Sequence, residues 1–516
     1  MCGICGIIYT RGSEEVIEDK LSKGLQALRH RGYDGSGLCI NIPCKTQLMR
    51  RRIVDTGDFI KHFNRFTPTS GSVNKNTRGM RISGIAHTRY KTAGACTIKN
   101  TQPVMNKDNT ISLVHNGQIE VYKASESGNT SDSTEHIFDS KYILEVFCNS
   151  FEQTDSIFRS VKAVHDTVKG SYACIIMIKD LGIVAFRDPR GIRPLVFGVE
   201  KSNNDLSLFD DIKNVEYAAF ASESIIFDEM DIKLVRNVKP GESIFVDLKG
   251  NVRYGSYCVS NPPQGFVLCG EEHRIRPYTP CMFEYIYLAD ERSSIDGINV
   301  GKARRIMGEL LYDNLNRYFG TIDVVAPVPN TPVDATKRIA ELLNVKYVDL
   351  LYLPTLKQLE NSMKTEQYKN ALKTSRTFIL PTQNKRELAV KEKFRIDVNH
   401  ISECQDKTIA LVDDSIVRGT TMKIIVNMIR DLVQPKKIIL VSLCPPVRYE
   451  NVYGIDIPDR KTLVAHNRSL SQIAKELGAD EVVYGNLESI VDAFKKEAAK
   501  NGVYVDGYET SVFNNE

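Results

Sequence analysis

Two adjacent carboxylates, Asp413 and Asp414, directly follow a short apolar run at residues 408–412. The run is typical of a buried parallel strand, and in open α/β sheets ligands bind just beyond the carboxyl ends of such strands. Residues 415–421 form a turn of small and hydroxyl residues before a helical pattern, so their N–H groups can face an anion. Two carboxylates beside such a turn can hold sugar hydroxyls or Mg²⁺. This stretch indicates a phosphorylated-sugar site, and the alternative is an ordinary strand–turn–helix with surface acids.

A thiol near the N-terminus is a second chemical group of interest. Cys2 begins a stretch of alternating small and apolar residues that is typical of a strand. Removal of Met1 would give Cys2 a free α-amine, and such amines have a pKa of about 8, which suits a general base. A nucleophile of this kind needs no separate histidine. We expect no propeptide beyond that one residue, and the alternative is a buried structural cysteine.

Polar residues elsewhere in the first half complete a possible site around this thiol. Arg89 can pair with a carboxylate in a bidentate manner, and Asp132 can receive an ammonium group. Asn116 and the N–H of Gly117 can stabilise an oxyanion. With Cys2, these groups describe a site for an amino acid that carries a reactive side-chain amide. We expect the nearby histidines to orient loops by hydrogen bonds.

The carboxylate pair and the Cys2 thiol are expected to be positioned by different arrangements of strands and helices. In the second half, strands alternate with helices, which indicates a parallel sheet. We expect helices at residues 300–318, 333–343 and 422–432, and strands at 322–328, 346–350, 408–412 and 437–443. The last of these helices has one apolar face, formed by Ile424, Ile425, Met428, Ile429 and Leu432. In the first half, we expect a strand at residues 2–9 and a helix at residues 20–28.

Composition limits the class of protein. A chain of 516 residues favours two large domains or three smaller ones. The formal net charge of +4 gives no reason to expect a nucleic-acid or membrane partner. No apolar run reaches the roughly 18 residues of a membrane span, and the N-terminus does not have the pattern of a secretory signal. Twelve scattered cysteines fit free thiols in a reducing cytosol, so we expect a cytoplasmic protein.

Several motifs of the first half resemble class II glutamine amidotransferases, which have the N-terminal-nucleophile fold. The motifs are Met-Cys-Gly-Ile at 1–4, His-Arg-Gly at 30–32, His-Thr-Arg-Tyr at 87–90 and His-Asn-Gly at 115–117. The resemblance covers residues 1–270 and implies an αββα sandwich. It further implies that Cys2 attacks the glutamine amide and that Asn116 and Gly117 form the oxyanion hole. The glutamine itself would be bound by Arg89, Thr92 and Asp132.

Residues 409–421 are similar to the signature of phosphoribosyltransferases, which bind 5-phosphoribosyl-1-pyrophosphate. The resemblance implies a parallel-sheet domain at 271–490, followed by a C-terminal tail at 491–516. It implies one Mg²⁺ per subunit, held near Thr331, Asp413 and Asp414. The phosphoribosylpyrophosphate would be bound by Asp413, Asp414, Ser415, Arg418, Gly419, Thr420 and Thr421.

A glutaminase followed by a phosphoribosyltransferase is the arrangement of the glutamine phosphoribosylpyrophosphate amidotransferase family. This resemblance implies that ammonia from glutamine passes between the domains and replaces pyrophosphate at C1 of the sugar, the first step of purine (IMP) biosynthesis. It also implies feedback inhibition by purine nucleotides and a homodimer or homotetramer. Two alternatives remain. One is another class II amidotransferase, which would share only the first half. The other is a regulatory or scaffold homologue with an impaired transferase loop.

The chain departs from the family in two places. The loop at 351–394 has changed spacing and an inserted polar segment, so we expect loop closure and allosteric control to differ. Some family members carry an iron–sulfur cluster on four cysteines. Here Asn451 replaces one cysteine and none follows Cys444, so we expect no cluster.

Overall fold

The N-terminal strand lies in the middle of a seven-stranded antiparallel sheet in the computed structural model. The structure describes residues 2–43, 45–54, 80–90, 97–120, 139–200, 215–257, 266–268, 277–354, 393–455, 457 and 459–515. Strand β1 begins at Gly3 and ends at Gly12, three residues beyond the expected end. Its side chains alternate: Ile4 and Ile8 lie between two sheets, whereas Cys5 and Ile7 face a helical layer. A two-residue period of this kind is what a strand buried on both faces requires.

Two stacked sheets form the first half. Their strands are β1 (Gly3–Gly12), β2 (Gly35–Asn41), β3 (Met49–Val54), β4 (Met80–Arg89), β5 (Val104–Met105), β6 (Ile111–Glu120), β7 (Lys169–Ile178), β8 (Gly182–Arg187), β9 (Val196–Glu200), β10 (Tyr217–Ala221), β11 (Ile232–Asn237), β12 (Glu242–Asp247), β13 (Val252–Ser256) and β14 (Phe266–Leu268). The sheet orders are β11-β9-β10-β1-β4-β2-β3 and β14-β13-β12-β8-β7-β6-β5. An apolar core fills the space between them.

Helices cover the outer faces of both sheets. They are α1 (Glu14–Ala27), α2 (Asp139–Thr154), α3 (Ile157–Thr167) and α4 (Ile225–Met230). Helix α1 begins six residues before the expected start because the Ser13 hydroxyl caps it by accepting from the N–H of Val16, 3.3 Å away. Helices α1 and α4 pack on the first sheet, and α2 and α3 pack on the second. The expected αββα sandwich is therefore confirmed.

The second half is built on a five-stranded parallel sheet. Its strands are β17 (Val324–Pro327), β18 (Lys346–Tyr347), β21 (Thr408–Asp413), β22 (Lys437–Ser442) and β23 (Glu481–Tyr484), in the order β18-β17-β21-β22-β23. Two small antiparallel pairs accompany it: β15 (Ser294–Ile295) with β16 (Ile298–Asn299), and β19 (Leu351–Tyr352) with β20 (Arg395–Ile396). Alternate residues of β21 face opposite sides, so Ala410 and Val412 belong to one core and Ile409 and Leu411 to the other.

Helices pack on both faces of this sheet. They are α5 (Val300–Leu315), α6 (Val333–Leu343), α7 (Ile401–Cys404), α8 (Thr420–Val433), α9 (Leu470–Leu477), α10 (Leu487–Lys500) and α11 (Ser511–Asn514). The expected boundary between the domain and the C-terminal tail, residue 490, lies inside helix α10. Phe494 and Phe513 of the expected tail are buried in the same core as α5 and α6. Among the described residues, every helix is too short or too polar to cross a membrane.

Two expectations about these helices need correction. Helix α5 ends at Leu315, and a 3₁₀ turn, Asn316–Tyr318, continues it. On α8, Ile425 and Ile429 are fully buried, but Leu432 is 59% exposed. The buried stripe continues from Ile429 to Val433 at a spacing of four residues, which leaves Leu432 at its solvent edge.

Candidate functional site

The carboxylate pair lies where the order of the parallel strands reverses. Strands β17 and β21 are neighbours, but the helices that follow them pack on opposite faces of the sheet. A sheet of this kind opens a crevice at the carboxyl ends of those two strands. Thr331 follows β17, and Asp413 is the last residue of β21. The topology therefore brings together two segments that are far apart in the sequence.

The turn after β21 has the geometry of an anion site. Residues 415–421 all line one cavity, and α8 begins within this turn. Gly419 precedes the helix with φ 77°, a left-handed conformation that favours glycine. The N–H groups of the first helical turn have no partner within the helix and carry its positive dipole end. A phosphate group can therefore be bound here by backbone and hydroxyl groups.

Electrostatics distinguish this acidic pair from surface acids. Asp414 is buried, and its carboxylate accepts a hydrogen bond from the Ser415 hydroxyl, 2.6 Å away. Burial and the adjacent Asp414 raise the pKa of Asp413 well above its usual value. Burial also raises the pKa of Asp414, although Ser415, Arg304 and Thr331 favour its ionised form. Two neighbouring carboxylates whose ionisation is disfavoured need a nearby positive charge if both are to be ionised.

The same residues fit a divalent cation. Thr331, Asp413 and Asp414 line the same cavity, and the Thr331 side chain favours the ionised form of Asp414, so one hydroxyl and two carboxylates lie together at the expected place. Oxygen donors of this kind suit Mg²⁺, which is usually held by one or two carboxylates together with water and substrate phosphates. His, Cys, Asp and Glu side chains of the described residues form no metal-ligating group of three or more. The set at 331, 413 and 414 therefore offers an open site rather than a closed cage.

The predicted nucleophile lies at the end of the sandwich. Strands β1 and β4 pair with Gly3 opposite Thr88, which places Cys2 next to Arg89 in register. The Thr88 hydroxyl accepts from the Gly3 N–H at 3.1 Å and anchors the start of the chain. Arg89 is buried, which suits a charged group that holds a small ligand. The structure thus brings Cys2 and Arg89 together, as predicted.

Asn116 and Gly117, the predicted oxyanion residues, lie inside β6. Gly117 has φ 145°, and a Cβ there would lie 2.0 Å from the carbonyl oxygen of Ser171, so no other residue fits. Asn116 is fully buried, and neither polar atom of its side chain has a partner among the described residues. An unsatisfied buried amide of this kind is costly unless a ligand completes it, which agrees with an oxyanion role.

Other predicted residues fall outside the described part of the chain. Thr92 and Asp132 are not among the described residues, and neither are residues 355–392 of the altered loop at 351–394. The histidines behave in different ways. His30 bonds to the Ala27 carbonyl at 3.0 Å, as expected for a residue that orients a loop. His87 is fully buried, and neither of its ring nitrogens has a partner among the described residues.

A buried charged cluster joins the two halves, and its role was not predicted from the sequence. Arg31 donates two hydrogen bonds of 2.9 Å to Glu284 and one of 2.5 Å to Glu223. Arg193 also contacts Glu284, at 3.2 Å. All four side chains are buried, so these charges must be paired with one another. A sequence signal existed, because Glu284 interrupts an apolar run, Met282 to Leu288.

One cavity of about 680 Å³ is lined by residues of both halves. His30, Tyr33 and Tyr90 come from the first half, and the acidic pair comes from the second half. The backbone oxygen of Tyr90 also accepts a hydrogen bond from the Cys2 thiol, 3.8 Å away. The nucleophile therefore lies directly behind the wall of the cavity that contains the predicted sugar site.

Two basic residues in this cavity were missed from the sequence. Arg304, on α5, is buried and donates to the carbonyl groups of Tyr285 and Ala289 at 3.1 and 2.8 Å. Lys393 lies close enough to favour the ionised forms of both aspartates. No local pattern identifies them, since only the tertiary fold brings them to the cavity.

Comparisons with known proteins agree with this geometry. A family model described as "Glutamine amidotransferase domain" matches residues 87–212. The amidophosphoribosyltransferase of Pasteurella multocida is 33% identical, over 98% of this chain and 93% of that protein. The enzyme of the same name from Pseudomonas aeruginosa is 34% identical over 100% of this chain and 92% of that one. The Escherichia coli enzyme is 33% identical, with coverages of 100% and 92%.

A solved structure shares the fold over the whole chain. It is a glutamine phosphoribosylpyrophosphate amidotransferase from B. subtilis, complexed with ADP and GMP. Its sequence is 24% identical, it aligns with a TM-score of 0.71, and the match covers 100% of this chain and 97% of that one. Together with the relatives above 30% identity, this match excludes amidotransferases that share only the first half. The chain belongs to the amidophosphoribosyltransferase family.

Proposed function

We propose that this chain hydrolyses glutamine at Cys2 and transfers the ammonia to C1 of 5-phosphoribosyl-1-pyrophosphate. The products are 5-phosphoribosylamine, pyrophosphate and glutamate. The observation that carries this proposal is the shared cavity, which is lined by Tyr90, the hydrogen-bond acceptor of the Cys2 thiol, and by Asp413 and Asp414. The scaffold alternative has no support of its own, since both sets of chemical groups are present.

The first reaction takes place at the thiol. After removal of Met1, the free α-amine of Cys2 accepts the thiol proton, and the sulfur attacks the amide carbon. The oxyanion that forms is stabilised by the Asn116 amide and the Gly117 N–H, both fixed within β6. Collapse of this intermediate releases ammonia and leaves a thioester, which water hydrolyses to glutamate. Arg89, with Thr92 and Asp132, holds the α-carboxylate and α-amine of glutamine.

The second reaction takes place at the acidic pair. The N–H and hydroxyl groups of residues 415–421 bind the 5′-phosphate. Asp413, Asp414 and Thr331 would hold one Mg²⁺, which supplies positive charge to the departing pyrophosphate. Arg304 and Lys393 add charge to the same cavity. Ammonia attacks C1 as pyrophosphate leaves.

Further properties are proposed on the basis of family membership. The product enters purine (IMP) biosynthesis, and purine nucleotides act as feedback inhibitors, in keeping with the nucleotides named for the B. subtilis structure. We propose a cytoplasmic homodimer or homotetramer. The absence of an iron–sulfur cluster stays a prediction, and iron-dependent brown absorbance of the purified protein would contradict it.

A pair of variants tests the proposal. Pyrophosphate release is measured with Mg²⁺ and either glutamine or ammonium chloride. Cys2→Ala should lose the glutamine-dependent reaction by at least roughly a thousandfold and keep the ammonium-dependent one. Asp413→Asn should lose both and still hydrolyse glutamine. If the wild-type protein releases no pyrophosphate with either nitrogen source, the chain acts as a scaffold rather than a transferase.

A further inference from the structure

Glu223 is a buried carboxylate that is bonded to neighbours of both reaction sites. It lies between β10 and α4, and its side chain has no exposure to solvent. Four donors surround its two oxygens, and they divide into two groups. One oxygen is bonded to residues of the first half, and the other is bonded to residues of the second half.

The first oxygen, Oε1, is connected to the nucleophile through Arg31. It accepts from Arg31 Nη1 at 2.5 Å and also contacts Nε2 of the cavity residue His30 at 2.8 Å. Arg31 Nε in turn donates to the backbone oxygen of Cys2 at 3.0 Å. Burial alone would raise the pKa of Glu223, but His30 and Arg31 outweigh it and hold the pKa far below its usual value. The carboxylate is therefore ionised, and it fixes the guanidinium that holds Cys2.

The second oxygen, Oε2, belongs to the cavity side. It accepts from the Asp290 N–H and from the Ser293 hydroxyl, both at 2.8 Å. Residues 289–292 line the same cavity as the acidic pair, and Asp290 is one of them. A ligand that displaces this segment must therefore change the hydrogen bonds to Glu223. Because these bonds are buried, water cannot readily replace them, and the change falls on the carboxylate.

We propose that Glu223 is a positioning residue that couples ligand binding in the shared cavity to the placement of Cys2. The coupling runs from residues 290 and 293 through Glu223 to Arg31 and the backbone of Cys2. By linkage, glutamine bound at Cys2 affects the cavity ligand by the same factor. This inference rests on the proposed function, since it takes phosphoribosylpyrophosphate as the cavity ligand.

Three variants of matched size test the coupling. Ser293→Ala removes the hydroxyl that donates to Glu223 Oε2 and that accepts from the Ile225 N–H at 3.4 Å. Glu223→Gln keeps the shape, but its amide NH₂ replaces one acceptor and must face donors on one of the two sides. Ser294→Ala is the control, because Ser294 is bonded through its backbone N–H to Ser224 and that bond is kept. The readout is the glutaminase rate with saturating phosphoribosylpyrophosphate divided by the rate without it.

We expect this ratio to be well above one in the wild type and the Ser294→Ala control. It should fall on the order of tenfold in Ser293→Ala and Glu223→Gln. The double variant should fall no further than Glu223→Gln alone, because both changes break one connection. Ammonium-dependent pyrophosphate release shows that each variant is folded. If Glu223→Gln does not fold, Ser293→Ala carries the test alone.

Two results would overturn the proposal. One is a folded Ser293→Ala protein that keeps the wild-type ratio, and the other is a wild-type ratio of one. The failure of the proposed function looks different, because the wild type would then release no pyrophosphate even with ammonium. In that case the glutaminase rate would also be the same with and without phosphoribosylpyrophosphate in every variant.

Discussion

Asp296→Asn should destabilise the protein because it breaks a buried ion pair between its two halves. Both carboxylate oxygens of Asp296 accept from Arg187, each at 2.8 Å, and neither side chain is exposed. Asparagine has nearly the same shape as aspartate. It also tolerates the left-handed backbone at this position, where φ is 46°. The substitution therefore removes the negative charge and replaces one of the two acceptors of Arg187 by an amide donor.

The expected size of the effect follows from the contacts that remain. Removal of one partner of a buried ion pair costs about 3–5 kcal/mol, since it leaves the other charge uncompensated. Arg187 keeps hydrogen bonds to the carbonyl groups of Arg193, Val238 and Gly191, so we expect the lower end of this range. A domain of this size loses about 2–4 °C in melting temperature per kcal/mol, which gives a fall of roughly 10 °C.

Differential scanning calorimetry of the full chain measures this change. The matched control is Glu341→Gln, which removes an exposed carboxylate 2.9 Å from Arg338. Exposed pairs contribute at most about 1 kcal/mol, so the control should shift the transition only slightly. If Asp296→Asn melts within about 2 °C of the control, the pair does not hold the two halves together and the reasoning is refuted.

Three further predictions concern pH, the anion turn and the core. Burial lowers the pKa of His115 from 6.5 to about 4. Between these pH values the unfolded chain binds a proton that the folded chain does not, so the free energy of unfolding decreases as the pH is lowered. From pH 7 to pH 5 the free energy of unfolding should fall by about 2 kcal/mol on this account, and His115→Gln should abolish that fall in urea unfolding. An unchanged dependence of the urea midpoint on pH in the variant would contradict the prediction. Gly419→Ala would place a Cβ 2.6 Å from Leu477 and force a left-handed alanine, so the KM for phosphoribosylpyrophosphate should rise on the order of tenfold, and an unaltered KM would refute the turn's role. Ile429→Ala should cost about 2–5 kcal/mol in urea unfolding and Leu432→Ala less than about 0.5, and equal losses would contradict the assigned face of α8.

The sequence predicts the local elements around the sugar site well. Strand β21 and helix α6 agree with the expected ranges to within one residue, because a short apolar run and a strong helical period leave little choice. Helix α1 was expected too late in the chain, since its start depends on the Ser13 cap rather than on the apolar period. Leu432 was assigned to the buried face because α8 carries more apolar residues than its stripe can bury.

Contacts between distant segments were less predictable. The motif that contains Arg31 was recognised, but its meeting with Glu223 and Glu284 in one buried cluster depends on how the two halves pack. Arg304 and Lys393 reach the cavity for the same reason. Local patterns report the period and ends of an element. They carry no information about which charge will compensate another across an interface.

The central claim is that the nitrogen released at Cys2 is the one that replaces pyrophosphate in the same chain. Glutamine labelled with ¹⁵N in its amide group, supplied with phosphoribosylpyrophosphate, Mg²⁺ and excess unlabelled ammonium, tests it directly by mass spectrometry of trapped phosphoribosylamine. We expect the product to carry the isotope enrichment of the glutamine, because the cavity that contains Asp413 extends to Tyr90, whose backbone oxygen contacts the Cys2 thiol. Product that carries the unlabelled nitrogen of the ammonium in the medium, or no product, would contradict the account.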